Sequence, residues 1–338
     1  MEKLYRKLES LADTGNYPFH MPGHKRNPES VDSDFLFEKD ITEISGFDDL
    51  HHSREILKEA QERAAKLYEV KETFFSVNGS TAAILAAVSA TVSKGGQILV
   101  GRNCHKSVYN AMYIRDLVPS YIYPQEDPAL GISGGISPAR VETVLDENPE
   151  IQAVLITSPT YDGVVSDVKR IANAAHSHGI PLIVDEAHGA HFKFSNYFPT
   201  SAAELGADLV IQSLHKTLPS LTQTAVLHLK EGIADRERLE FYLRIYQSSS
   251  PSYVMMASID NCIEYMAGEG RKRLEQLGRR LEHWMEDAKQ WSCLRVLDDH
   301  VLEENGAFDR DISKLVVGIS PQAEKAGING TALAEAVR

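Results

Sequence analysis

Between residues 73 and 213 the chain alternates short apolar runs with segments of helical period, and this pattern restricts its fold more than any other feature. Ile151–Thr157, Pro181–Asp185 and Asp208–Gln212 are rich in Ile, Val and Leu, as strands buried on both sides of a sheet require. Thr73–Val77 and Gln97–Val100 read as two more strands. Helices are expected over Ser80–Val92, Lys106–Arg115 and Asp167–His178, the last closed by Gly179, a residue suited to a helix C-cap. Strands and helices in alternation predict a parallel, doubly wound α/β sheet.

The flanks differ from this core. Arg54–Tyr68 sets Ile56, Leu57, Ala60, Ala64, Leu67 and Tyr68 on one helical face. Residues 1–50 read as loop-rich, with Pro18, Pro22, Gly23 and Pro28 in a polar stretch that holds His20 and His24. After about residue 235 a long, charged helical region is expected from Ser252 to Gln290, then a strand at Lys314–Ile319. The expected division is an N-terminal segment over 1–50, a major domain over 51–250 and a smaller C-terminal lobe over 251–338. Ala332–Arg338 looks helical without a terminating Gly or Pro, so that lobe reads as incomplete.

Composition removes several functions. A net charge of -13 does not supply the basic field a nucleic-acid surface needs. Three separated cysteines, Cys104, Cys262 and Cys293, contain no CxxC pair, so neither a disulfide framework nor a zinc ribbon is indicated. His188 and His191 stand three apart without a convincing further ligand, and no metal is expected. No run approaches the roughly 18 apolar residues of a membrane span, and MEKLYRKLES has no apolar signal stretch. A cytoplasmic setting is expected.

Four segments carry chemistry. Val184-Asp185-Glu186-Ala187-His188 places a carboxylate where a buried strand meets a loop, the end of an open α/β sheet at which ligands bind. Asp185 could equally cap the next element. The same letters occur in nucleotide-hydrolysing motors, but the GxxxxGK[ST] loop such an enzyme needs is missing. Ser213-Leu214-His215-Lys216-Thr217 follows the next strand, and Lys216 lies 31 residues (216 minus 185) beyond Asp185. A strand-end lysine is often a solvated surface group. With an upstream Asp to bond a pyridine nitrogen, however, Lys216 suits the Schiff base of pyridoxal phosphate (PLP). Val77-Asn78-Gly79-Ser80-Thr81 opens a helix whose backbone amides, with the Ser80 and Thr81 hydroxyls, form an anion site, unless Ser80 is merely an N-cap. Ser213 and His215 could add phosphate contacts. His105, in Arg102-Asn103-Cys104-His105-Lys106-Ser107, could stack on a flat ring, while Cys104 reads as packing.

These segments resemble the Orn/Lys/Arg decarboxylases of the bacterial, aspartate-aminotransferase-like PLP fold. Further matches are Pro18-Phe19-His20-Met21-Pro22-Gly23-His24-Lys25, Asp40-Ile41-Thr42-Glu43, Asp48-Asp49-Leu50-His51, Thr160-Tyr161-Asp162-Gly163 and the continuation Leu218-Pro219, in family order from residue 18 to about 230. The resemblance is to the short form, without the N-terminal wing of the long enzymes. It implies a fold-type I, PLP-dependent transferase-like architecture: a mainly parallel sheet flanked by helices, plus a C-terminal lobe. Lys216 would be the Schiff-base lysine, Asp185 the partner of the pyridine nitrogen, and His105 and Ala187 the groups against the two ring faces. Ser80, Thr81, Ser213 and His215 would hold the phosphate, with His188 also beside the cofactor. The implied reaction is decarboxylation of arginine, lysine or ornithine by a homodimer or a multiple of dimers. The N-terminal His/Pro/Gly segment and Asp48–His51 could lie near that interface. Leu214 departs from the small polar residue many members carry there. Members also continue into a C-terminal domain at the substrate entrance, which puts side-chain recognition in doubt. Aminotransfer, retro-aldol cleavage and a non-catalytic PLP-binding relative remain open on the same scaffold.

Overall fold

A computed structural model describes residues 2–14, 22, 25, 36–127, 130–297 and 307–336. Seven strands form the central sheet: β1 (Glu72–Ser76), β2 (Gln97–Gly101), β3 (Val118–Ile122), β4 (Ile151–Thr157), β5 (Leu182–Asp185), β6 (Leu209–Ser213) and β7 (Ala225–Leu229). Their spatial order is β1-β7-β6-β5-β4-β2-β3. The runs of Ile, Val and Leu that define β4, β5 and β6 are buried on both faces, as their composition requires.

The sheet is mainly parallel, as expected, with one antiparallel strand. β7 runs antiparallel to both of its neighbours, β6 and β1. Only residues 214–224 join β6 to β7, too short a connection for the crossover a parallel neighbour needs. The other six strands point one way, so Ser76, Gly101, Thr157, Asp185 and Ser213 end along one edge.

Helices cover both faces. In chain order they are α1 (Leu4–Ala12), α2 (Ile56–Tyr68), α3 (Gly79–Thr91), α4 (Lys106–Ile114), α5 (Pro138–Glu147), α6 (Val168–Ser177), α7 (Arg236–Tyr246), α8 (Tyr253–Ala267) and α9 (Glu269–Ala288). On one face α3, α4 and α7 pack on Ile98, Val100, Ile211 and Leu227. The alanines of α3 let it lie close to the sheet with Ala83, Ala86 and Ala87 wholly buried. On the other face α5 and α6 cover Val154, Val184 and Val210, while α1, α2 and α8 cover Phe75 and Val226.

The first 50 residues are less irregular than their prolines suggest, because α1 lies among them. Its Leu4 and Leu8 are fully buried, each contributing roughly 1.5–3 kcal/mol of apolar transfer. The buried Asp260 of α8 accepts from Leu4 N at 3.0 Å and from Arg63 Nη2 of α2 at 2.7 Å, tying three helices together. The Pro18–Lys25 motif, His20 and His24 included, lies outside the described residues except for Pro22 and Lys25. Asp48, at φ +67, supports the fold directly, because its carboxylate accepts from Arg54 N, Glu55 N and Leu57 N and so caps the start of α2.

Two C-terminal expectations change. The long helical region breaks at Gly268, whose backbone leaves the helix (φ -128, ψ -98), into α8 and α9. The strand expected at Lys314–Ile319 is shorter, Val317–Ile319 paired with Leu294–Val296. Lys314 sits instead in a turn closed by its own N–H on Asp311 O at 3.0 Å. Just before it, Asp309–Arg310 pair with Val164–Val165, which brings this segment back onto the main sheet's loops. Among the described residues, no helix is long and apolar enough to cross a membrane.

Candidate active site

The carboxyl edge of the sheet gathers the polar groups singled out in the sequence. β5 delivers Asp185, which is 3 % exposed. Its Oδ1 accepts from Ala187 N at 3.2 Å, a local turn bond, and Oδ2 has no hydrogen-bond partner among the described residues. Burial raises the Asp185 pKa, while Ala187 N–H, Lys216 and His105 favour the carboxylate. A buried carboxylate with one oxygen free among the described residues suits a protonated ring nitrogen.

β6 ends in one helical turn, Leu214–Thr217, which lifts Lys216 above the sheet edge. Its Nζ donates to His188 Nε2 at 3.1 Å. Although Lys216 is exposed in the single chain, the protein around its ammonium lowers its pKa from the ordinary lysine value. Burial is the main cause, Asp185 opposes it, and Lys314 adds to it. His188 is pushed down to about 4 by burial first, then by Lys216 and Lys314. A neutral imidazole therefore accepts from the lysine. Tyr161 stands edge-on to His188, ring centroids 5.5 Å apart.

The anion site takes a specific form. Helix α3 begins at Gly79, φ +76, with Asn78 before it, so Ser80 is not the N-cap. Its hydroxyl meets Ser213 Oγ at 2.6 Å, joining the first turn of α3 to the end of β6. Thr81 is exposed on the same turn. His215 is turned toward the loop, its Nδ1 2.9 Å from Thr224 O. His105 is the N-cap of α4, with Nδ1 accepting from Ser107 N at 3.3 Å and lying 2.8 Å from Ser107 Oγ. Cys104 is buried, and burial raises its pKa, which keeps it a thiol.

Two buried hydroxyls along this edge, Thr157 Oγ1 and Thr217 Oγ1, have no hydrogen-bond partner among the described residues. Thr157 is paired in register with Asp185, and Thr217 follows Lys216. Orphaned hydroxyls are rare in a folded core and are satisfied when a polar ligand or water binds. Together with a lowered-pKa amine, a buried carboxylate and a hydroxyl pair at a helix start, they fit PLP.

Several neighbours of the site carry no local sequence signal. Lys314 approaches from the returning segment, and Gly163 makes room for it: a Cβ on Gly163 would lie 2.8 Å from Lys314 Cγ. Glu186 points away from Asp185, to the other side of the sheet. It accepts from Ser201 Oγ at 2.7 Å, Ala202 N at 2.7 Å and Gln212 Nε2 at 2.6 Å, and burial raises its pKa to about 7. His191 pairs with the buried Asp311 at 3.2 Å, so His188 and His191 serve different partners. No local pattern marks Lys314 or the Asp311 contact, because their partners lie more than a hundred residues away.

The family described as Orn/Lys/Arg decarboxylase, major domain, matches residues 2–311. The uncharacterized protein YaaO of Bacillus subtilis is 42% identical over 269 residues, covering 78% of this chain and 56% of that protein. The arginine decarboxylase of Bacillus subtilis is 35% identical over 323 residues, covering 94% of this chain and 66% of that enzyme. Among solved structures, the lysine decarboxylase LdcF of Francisella novicida has the same fold, with a TM-score of 0.74 at 24% identity, over 94% of this chain and 50% of that one. The chain thus spans between half and two thirds of the length of these relatives.

Proposed function

Because the chain belongs to the Orn/Lys/Arg decarboxylase family, we propose that it removes CO2 from a basic amino acid using PLP held on Lys216. The observation that carries this reading is the meeting of three groups: Lys216 with a lowered pKa, its neutral acceptor His188 at 3.1 Å, and the buried Asp185 whose charge reaches it. PLP, once bound, supplies the sink for the electron pair released when the bond from Cα to the carboxylate breaks. Asp185 would bond the ring nitrogen through Oδ2. The Ser80 and Ser213 hydroxyls and the start of α3 would take the phosphate, with Thr81 and His215 on either side. His105 and Ala187 would flank the ring.

The protein's own part is proton control. A nucleophilic lysine must lose its proton, and burial of Lys216 lowers the cost of doing so. His188 accepts from Nζ and fixes where that nitrogen points. After CO2 has left, Lys216 Nζ would return a proton to Cα. A carboxylate leaves most readily from a desolvated setting, yet Lys216 and His105 are exposed and Tyr161 is 78 % exposed in the single chain. That openness supports a second copy of the chain covering the site.

Arginine is the first substrate to assay, since Bacillus relatives that are 35% identical carry the name arginine decarboxylase. The test is a visible spectrum of the purified protein and of Lys216→Ala, with CO2 release measured from arginine, lysine and ornithine. A borohydride-reducible band lost in the variant, and CO2 from one amino acid, are expected. An unchanged band in the variant refutes the lysine assignment. Keto-acid product without CO2 refutes decarboxylation.

A further inference from the structure

Lys314 lies beyond residue 311, where the family match ends, in the segment that returns to the loop of Tyr161 and Gly163, and Tyr161 stands edge-on to His188, the acceptor of Lys216. Asp311 N donates to Gly163 O at 2.8 Å. The Asp311 carboxylate, 1 % exposed, binds His191 Nε2 and accepts from Ser313 N at 2.9 Å. The turn that follows sets the Lys314 stem against Gly163. Here glycine is required twice: φ is +92, and a Cβ would meet Lys314 Cγ at 2.8 Å and Lys314 Cβ at 2.9 Å. The Gly of Thr160-Tyr161-Asp162-Gly163 therefore serves Lys314.

The ammonium this arrangement presents has no carboxylate partner among the described residues. It is only partly exposed, and its charge acts on both Lys216 and His188. An anion that arrives at Lys216 and His188 is attracted by the Lys314 charge as well. The anion-binding turn at Ser80 and Ser213 is built from other elements, so a phosphate there leaves this cation unmatched.

We propose that Lys314 receives the α-carboxylate of the amino-acid substrate. This rests on the reading of Lys216 as the group that engages the substrate's α-amine. Amine and carboxylate share one carbon, so a substrate engaged at Lys216 carries its carboxylate to within a few bond lengths of that nitrogen. The same positive charge repels the distal cation of a basic side chain and so orients the molecule. An ammonium binds as a point charge without the fixed fork of a guanidinium, which leaves the carboxylate free to turn about its bond to Cα. Since it holds the carboxylate before the bond breaks, its contribution falls on KM more than on kcat.

The test compares each amino acid with its own decarboxylated amine: arginine with agmatine, lysine with cadaverine. Both are titrated into the PLP-loaded wild type and Lys314→Gln, with dissociation constants read from the visible spectrum. Lys314→Gln should weaken the amino acid roughly 10–100-fold, the span of one charge-assisted hydrogen bond, and leave amine binding within about twofold. Lys314→Arg should recover most of the loss. Equal weakening of both ligands, no weakening of the amino acid, or loss of PLP from Lys314→Gln overturns the proposal. If the amino acid is weakened selectively while the wild type releases no CO2, the carboxylate role stands and the decarboxylase reading falls.

Discussion

Glu186→Gln should make stability less dependent on pH, and the structure gives the size of the effect. The gap between the ordinary glutamate value of 4.5 and about 7, at 1.36 kcal/mol per unit, is worth about 3 kcal/mol. The folded pKa is raised, so between these values the folded chain binds more protons than the unfolded one. This contribution is fully present below pH 4.5 and is lost as pH rises through 7. The amide can replace the carboxylate with its contacts kept, the Ser201 hydroxyl changing from donor to acceptor. Its oxygen accepts from Ala202 N, and its two N–H groups face Ser201 Oγ and the Gln212 amide, turned over to present oxygen. Gln212 Nε2 then donates to His228 Nε2, now 3.2 Å from Gln212 Oε1. His228 is neutral, pushed down to about 3 by burial, and can carry its proton on Nδ1 toward Thr73 Oγ1 at 2.8 Å. Urea melts at pH 5 and pH 8 should show Glu186→Gln gaining about 2–3 kcal/mol on the wild type across that interval, since part of the effect is already spent at pH 5. Curves that stay parallel would refute the reasoning.

Two further substitutions probe the supports of the site. Gly163→Ala combines a φ of +92 with a contact of 2.8 Å, and should cost about 1–3 kcal/mol while reproducing the selective loss of amino-acid binding expected of Lys314→Gln. Melts and spectral titration check both halves, and an unaffected titration would separate Gly163 from Lys314. Asp260→Ala removes the carboxylate partner of Arg63, whose Nε and Nη1 already lack partners among the described residues. It should cost about 3–5 kcal/mol in thermal or urea unfolding, and a loss below about 1 kcal/mol would show that Arg63 reaches water instead.

Five of the seven strands are legible in the sequence, most plainly β4, β5 and β6, which are buried on both faces and read as apolar runs. The edge at which Asp185, Ser213 and Gly79 meet follows from them. β3 and β7 are not among the expected strands; β3, VPSYI, is half exposed and carries no apolar run. The reversal of β7 is not legible: a short apolar run looks the same in either direction, and only the length of residues 214–224 decides it. Asp48 reads as part of a recognition motif, yet its carboxylate caps α2 from six to nine residues away. Lys314 reads as the first residue of a strand, because its partner Gly163 is invisible to any local window.

The alternation of side chains across a strand explains why chemistry and support can coexist at one edge. Ile211, Ser213 and Asp185 project to the face covered by α3, where Ser80 meets Ser213. Gln212 and Glu186, one residue along, project to the opposite face and continue through His228 to Thr73, so that β1, β7 and β6 and the turn after β5 are joined by side chains as well as by backbone. A one-residue slip of β6 would put Gln212 where Ser213 meets Ser80 and take the Gln212 donor away from Glu186, exchanging the two faces at once. The buried network therefore fixes the register on which the opposite face depends. It does so at the cost of a carboxyl that resists ionisation, a cost that falls away at low pH.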